Sequence, residues 1–221
     1  MHRGSSVIIV GNGDLNERAL RDVASHYPVI ALDGAYQTLS DKGFDVTEVI
    51  GDLDSLSDAA QEHAKRQGVT VTSIAEQDSN DFEKALYSIE ASSYICFGLT
   101  GGRFDHLMAN LHVMAKYSVN KNIIMITNDD ILTMHKGISH IASLPQALVA
   151  VLPLAPIIFA HSTGLGYPLT GVRLAMGEMV SSSNYATDSL VTLTPRDEDC
   201  DQLYVVSRAI EMWQEGQFLT G

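Results

Sequence analysis

Val49-Ile50-Gly51-Asp52-Leu53-Asp54-Ser55 sets a short apolar run against a turn that carries two carboxylates. The arrangement recurs along the first half of the chain. Residues 29–32 run into Asp33-Gly34. Residues 69–74 lead, after a short link, into Gln77-Asp78-Ser79-Asn80-Asp81. Residues 95–97 lead into Gly98-Leu99-Thr100-Gly101-Gly102-Arg103-Phe104-Asp105-His106. Short apolar runs separated by helical patterns read as parallel strands. Every turn then opens on one edge of one sheet, where open α/β sheets take their ligands. Carboxylates crowded there repel by on the order of 1 kcal/mol per close pair even in water-like surroundings. A divalent cation is the simplest compensation, and oxygen donors without a His/Cys cluster suggest Mg²⁺ rather than zinc.

Between these runs lie helical patterns. Leu15, Ala19, Leu20, Val23 and Ala24 recur at helical spacing over residues 15–26. Residues 57–67 are polar and helical and stop at Gly68, a reasonable C-cap. Asn80 and Glu83 have capping-box spacing at the start of a helix over 80–91, and Leu107, Leu111 and Met114 form one stripe of a helix over 104–117. Strands are expected at 6–10, 69–73 and 123–127. Past Asn128 the rhythm changes to short β-type runs at 131–135, 138–142, 147–152, 157–160, 172–175, 190–193 and 203–206. Lys136-Gly137 reads as a hairpin turn, and residues 208–214 as a short helix. The expected architecture is α/β: a mainly parallel α/β sandwich domain over 1–128, then a smaller all-β sandwich over 129–221.

The 221 residues are 45% hydrophobic, enough for a core. With 14 basic and 27 acidic residues the net charge is −13. That argues against a nonspecific nucleic-acid or anionic-membrane binder. A phosphate ligand would need a locally positive pocket. The two cysteines, Cys96 and Cys200, form no CxxC, so free thiols in a reducing compartment are expected. No targeting or membrane-spanning segment is read, because the longest apolar stretch, residues 147–160, contains Pro153 and Pro156. The expected setting is the cytoplasm.

Each motif has a plain structural reading beside the functional one. Asp52 and Asp54, two apart on an extended segment, point the same way and can share one metal, but Gly, Asp and Ser are also turn formers. Asn80 suits an N-cap and Asp81 a first helical turn without any chemistry. Lys84 reads as a surface partner one turn on. Gly98, Gly101 and Gly102 let backbone N–H groups approach a phosphate, Arg103 adds a positive fork, and a helix N-terminus follows. His106 reads as a ligand, a base or a helix-surface residue. No Walker A sequence is present, and Gly11-Asn12-Gly13 does not complete a dinucleotide fingerprint, because Asn16 stands at the third Gly.

Taken in order, Asp33-Gly34, residues 51–55, residues 77–86 and residues 98–106 with Asn110 resemble the thiamine pyrophosphokinase family. Residues 164–169 and Ser183-Asn184 are similar to that family's substrate-side signatures. The resemblance spans roughly residues 6 to 206. It implies a homodimer with active sites between subunits, built from a nucleotide-binding, catalytic α/β domain and a thiamine-binding, dimer-forming β-sandwich. It also implies transfer of the pyrophosphoryl group of ATP to the hydroxyl of thiamine, with release of AMP. By that similarity Asp52, Asp54, Asp78 and Asp81 hold Mg²⁺ and are the catalytic carboxylates. Asp33, Gly34, Thr100, Gly101, Arg103, Asp105 and His106 form the ATP site, and Ser183 and Asn184 face thiamine. The chain departs from the family pattern at Ala35, Asn80 and Tyr185. Other readings are a pyrophosphokinase for another alcohol such as a pterin, a non-catalytic thiamine or nucleotide binder, and an α/β protein with a structural cation site.

Overall fold

The computed structural model describes residues 6–215, and the chain divides into two compact units, Met1–Asn128 and Asp129–Gly221. In the first, strands β1 (Val7–Val10), β2 (Val29–Leu32), β3 (Glu48–Gly51), β4 (Thr70–Ser73), β5 (Tyr94–Phe97) and β6 (Ile123–Ile126) alternate with helices α1 (Glu17–Ala24), α2 (Ala35–Asp41), α3 (Asp58–Arg66), α4 (Asp81–Ser88) and α5 (Phe104–Tyr117). The strands lie in the order β4-β3-β2-β1-β5-β6, all parallel. β1, β2, β5 and β6 are buried along their whole length, which is why they are continuous apolar runs rather than alternating ones. β4 (Thr-Val-Thr-Ser) is the edge and is partly solvated.

The helix starts follow the capping residues. Asn16 Oδ1 accepts from the Ala19 N–H at 3.1 Å, and Ser57 Oγ from that of Ala60 at 3.2 Å. Asn80 Oδ1 accepts from the Glu83 N–H at 2.9 Å. The expected capping box is only half made, because the Glu83 carboxylate instead takes Lys116 Nζ at 2.5 Å and the Tyr117 hydroxyl at 3.1 Å, clamping α4 to α5. α4 ends at Ser88, before the expected limit.

In the second unit β7 (Asp130–Lys136), β13 (Leu203–Ala209) and β9 (Val149–Pro153) form one antiparallel layer. The other layer comprises β8 (Ser139–Ala142), β10 (Ile157–Thr163), β11 (Arg173–Leu174) and β12 (Leu190–Pro195), in the order β11-β10-β12-β8. Val149, Val151, Phe159, Leu193, Tyr204 and Val206 are among the residues of the core that joins the two layers, so this unit is a β-sandwich. The expected hairpin at Lys136-Gly137 is not one. β7 pairs with β13 and β8 with β12, and Gly137 at φ +65° turns the chain from one layer to the other. Residues 210–215 form a 3₁₀ segment in place of the expected helix start at 208.

Candidate active site

The strand order reverses beside β1: the chain proceeds from β1 outward to β2, and later returns to place β5 on β1's other side. Such a switch point opens a crevice at the carboxyl ends of the strands. A cavity of about 590 Å³ lies there. Its walls are Gly11–Gly13 after β1, Asp33 and Gly34 after β2, Ser55 after β3, Asn80–Phe82 at the start of α4, and the loop after β5 running into α5. Asp33, Gly34, Thr100, Gly101, Arg103, Asp105 and His106 all line it, as does Asp81.

Two glycine loops are pressed together at its base. Gly13 N–H donates to Gly98 O at 2.8 Å, and Asp14 N–H to Thr100 O at 2.7 Å. A Cβ on Gly98 (φ +63°) would stand 2.3 Å from Gly11 O, and one on Gly13 would stand 2.2 Å from Thr100 O. Only glycine allows this approach. The segment Gly11-Asn12-Gly13 therefore belongs to the site although it completes no nucleotide fingerprint. Its signal lies in the pairing of β1 with β5, which are remote in sequence.

One carboxylate oxygen from each of Asp33, Asp52 and Asp54 falls within 4.8 Å of the others. Asp33 is 4% exposed. Its Oδ2 accepts from the Ser55 N–H at 3.1 Å, while its Oδ1 is buried with no hydrogen-bond partner. A buried carboxylate oxygen left over is costly unless a ligand completes it. Burial, reinforced by the charge of Asp81, holds the Asp33 carboxyl above its usual range despite the Ser55 N–H bond. The donor set is all oxygen and suits a hard divalent cation such as Mg²⁺. Asp33 (φ +37°) and Leu53 (φ +66°) both have left-handed backbone, which is strained for these residues and clusters at functional sites. Leu53 also changes the expected reading of its neighbours. The segment is not extended. It is a turn in which the Asp54 N–H donates to Asp52 Oδ1 at 3.3 Å, and the turn still brings both carboxylates together.

Asp81 sits beside this group. A Cβ on Gly51 would meet Asp33 Cβ at 2.9 Å and Asp81 Oδ1 at 3.2 Å, so the glycine lets the two acidic elements approach. Burial raises the Asp81 carboxyl, partly offset by Lys84. Lys84 is not the surface partner expected. Its side chain is 2% exposed, and Nζ lies 3.3 Å from Asp81 Oδ1 and 3.7 Å from Asp52 Oδ2. Gln77 Nε2 donates to Asp52 Oδ2 at 3.0 Å, the first cause of that carboxyl's lowered pKa. Asp78 lies outside the three-carboxylate group and the cavity wall. Its N–H and that of Ser79 bond Glu76 Oε2, and the Ser79 and Tyr87 hydroxyls bond Glu76 Oε1. Glu76, which sequence reasoning missed, thus shapes the loop carrying Asp78 and Asp81.

Asn80 Nδ2 donates to Asn110 Oδ1 at 3.1 Å, and Asn110 Nδ2 to Leu99 O at 2.8 Å, tying α4, α5 and the glycine loop together. Arg103 precedes α5 and is exposed. Its Nε and Nη2 grip both oxygens of Asp105 at 3.0 and 2.5 Å, which lowers the Asp105 carboxyl. In the second unit Asn184 is buried and its amide is fully committed. Oδ1 accepts from the N–H of Tyr167 (2.9 Å) and of Tyr185 (3.0 Å), while Nδ2 donates to Tyr167 O (2.7 Å) and Ser181 Oγ (3.2 Å). It clips residues 164–169 to residues 181–185, with Ser183 exposed beside it. The Tyr185 ring crosses Gly166, where a Cβ would stand 2.1 Å from Cζ.

The family model described as thiamin pyrophosphokinase, catalytic domain, matches residues 21–127, the span holding most of this edge. Over that span, just under half of its length, the chain is similar to the thiamin pyrophosphokinase family. Thiamine pyrophosphokinase 1 of Oryza sativa subsp. japonica is 27% identical over 173 residues, 71% of this chain and 64% of that protein, so the chain spans somewhat less than two thirds of that relative. Among solved structures, thiamin pyrophosphokinase from Geobacillus thermodenitrificans is 28% identical with a TM-score of 0.75, covering 92% of this chain and 97% of its own. Thiamine pyrophosphokinase from Bacillus subtilis matches in fold, with a TM-score of 0.78 at 24% identity over 93% and 99% of the two chains. Among the described residues no helix is long and apolar enough to cross a membrane.

Proposed function

We propose that this chain is a Mg²⁺-dependent thiamine pyrophosphokinase, moving the pyrophosphoryl group of ATP to the hydroxyl of thiamine and releasing AMP. The observation that carries the reading is the convergence of Asp33, Asp52 and Asp54, with the unpartnered Asp33 Oδ1, beside a glycine-walled cavity at the switch point. In this reading the first unit binds the nucleotide and carries the chemistry, and the second contributes the thiamine contacts and the dimer surface.

The thiamine oxygen attacks the β-phosphorus in line and AMP leaves, so no protein nucleophile is needed. The chain's work is positioning and charge placement. Backbone N–H groups of residues 98–102 and Arg103 hold the polyphosphate, and α5 presents its N-terminus to it. Asp33, Asp52 and Asp54 hold the cation, with Asp78 and Asp81 flanking. Mg²⁺ bound there supplies neutralisation of the phosphate charge. Burial raises the proton affinity of Asp81, which suits it to accept the alcohol proton late in the transfer. Asp105 and His106 border the same nucleotide space. In the second unit Asn184 fixes the shape of the loops over which thiamine's pyrimidine lies, with Ser183 on their surface. The exposed Tyr167, Met176 and Met179 support a homodimer formed through this unit, and two free cysteines support a cytoplasmic setting.

The test is AMP release from ATP and Mg²⁺ with and without thiamine, with the product mass determined. Thiamine-dependent AMP with thiamine diphosphate is expected. A folded protein whose AMP release ignores thiamine overturns the reading.

A further inference from the structure

Lysine is rarely buried unless its charge is matched. Lys84 belongs to α4, which packs on β2 and β3, and its neighbours Phe82, Glu83, Ala85 and Leu86 are also buried. Its ammonium faces two carboxylates from different loops, Asp81 at 3.3 Å and Asp52 at 3.7 Å. Asp52 is also one of the three carboxylates whose oxygens converge. A positive charge built into the protein thus stands against the carboxylates that would hold a cation. The ammonium is thus paired with two carboxylates at once, the condition under which a buried lysine keeps its charge.

We propose that Lys84 is an internal cation that lowers the affinity of the acidic edge for a free divalent ion, so that the ion is taken up together with a polyphosphate rather than ahead of it. The inference rests on the Mg²⁺-dependent reading above. A dication entering beside Asp52 is repelled by Lys84, and at an effective permittivity between those of protein surface and water this amounts to about tenfold or more in affinity. A polyphosphate arriving with the ion brings its own negative charge and removes the penalty. Without Lys84, Asp81 and Asp52 would face each other uncompensated in the metal-free protein.

The experiment is calorimetric titration of the full chain with MgCl₂ alone, on wild type, Lys84→Met and Lys84→Arg, with melting temperatures in EDTA and in Mg²⁺. Lys84→Met is expected to bind free Mg²⁺ about tenfold tighter than wild type. It should also melt lower in EDTA and gain more from Mg²⁺. Lys84→Arg, which keeps the charge, should match wild type. A purely structural lysine would lower the melting temperature equally with and without Mg²⁺. That result, or unchanged or weaker Mg²⁺ affinity in Lys84→Met, overturns the inference. If Lys84→Met does not fold, wild type decides. Millimolar Mg²⁺ alone should barely move its melting temperature, whereas Mg²⁺ with a non-hydrolysable ATP analogue should raise it, and an equal rise with Mg²⁺ alone overturns the inference. If Mg²⁺ changes nothing in any variant, with or without the analogue, the Mg²⁺-dependent function falls and this inference with it.

Discussion

The acidic edge of the first unit and the paired loops of the second are both made of Gly, Ser and Asp or Asn turns, yet they treat polar groups in opposite ways. In the loop pair the Asn184 amide makes four hydrogen bonds and has no capacity left. At the edge, Asp33 keeps a buried oxygen without a partner, Asp33 and Leu53 hold left-handed backbone, and burial raises both Asp33 and Asp81. Spent hydrogen-bonding capacity builds scaffold. Capacity left over in a buried place, with strain beside it, is what a bound group would complete.

The largest effect that sharpens this contrast is on turnover. Asp54 is exposed, and its carboxylate accepts from the Ser55 hydroxyl at 3.0 Å. Asp54→Asn should cut kcat at least about a hundredfold and leave the unfolding midpoint unmoved. Near-native turnover in that variant would remove Asp54 from the cation site.

The second effect is pH-dependent stability, and it belongs to the second unit. His135 stacks on Tyr204 with ring centroids 5.8 Å apart and pairs with Thr133 Oγ1 at 2.8 Å. Burial first, and the Arg208 charge second, push its pKa down to about 4. The unfolded chain binds that proton near pH 6.5, so the stability His135 contributes is full above that value and is lost as pH falls toward about 4. The loss is about 3 kcal/mol by pH 4. Urea unfolding at pH 7 and pH 4 should show a smaller drop for His135→Gln than for wild type. An equal drop would assign acid sensitivity elsewhere. Asn184→Ala, by stranding the N–H groups of Tyr167 and Tyr185, should cost about 2 kcal/mol at any pH in this range. If it instead cut turnover at full stability, the distinction between scaffold and site would fail there.

What the sequence reveals, and what it hides, divides along the same physical line. Strands β1, β2, β5 and β6 are legible because a strand buried on both faces must be an unbroken apolar run. The recurrence of carboxylates at strand ends follows from that, and so does the placement of the β5 glycine loop. Helix α2 is not legible: it has seven residues, Gly34 at its N-cap without a side-chain bond, and Thr and Ser within it. Lys84 reads as solvent-facing, because its burial depends on where α4 lies on the sheet and not on its spacing from Asp81. Gly11 and Gly13 acquire their reason only when β5 comes to lie on β1. The corner at Gly137 looks like a hairpin because local turn chemistry is the same whether the next strand pairs beside the last or crosses to the other layer.

The smallest effect tests the contrast most directly, because it carries the opposite sign. Asp33 is more costly charged than neutral in the fold, since its pKa lies above the unfolded value of 3.8. A group raised in this way gains relative stability as pH falls through its folded pKa, with the gain complete below 3.8, whereas His135 loses stability on acidification. Asp33→Asn makes the neutral form permanent. With its Oδ1 on the Ser55 N–H, the variant leaves a neutral amide where a carboxylate oxygen was stranded, the lesser of the two penalties. The metal-free variant should therefore be more stable than wild type at pH 7, by up to about 1 kcal/mol. That advantage should vanish below pH 3.8, where wild-type Asp33 is itself protonated, and turnover should collapse at every pH. Denaturation midpoints of both proteins in EDTA at the two pH values decide it. A destabilised Asp33→Asn would mean that the buried carboxylate is already compensated without a cation, and the edge would then be scaffold like the Asn184 loops.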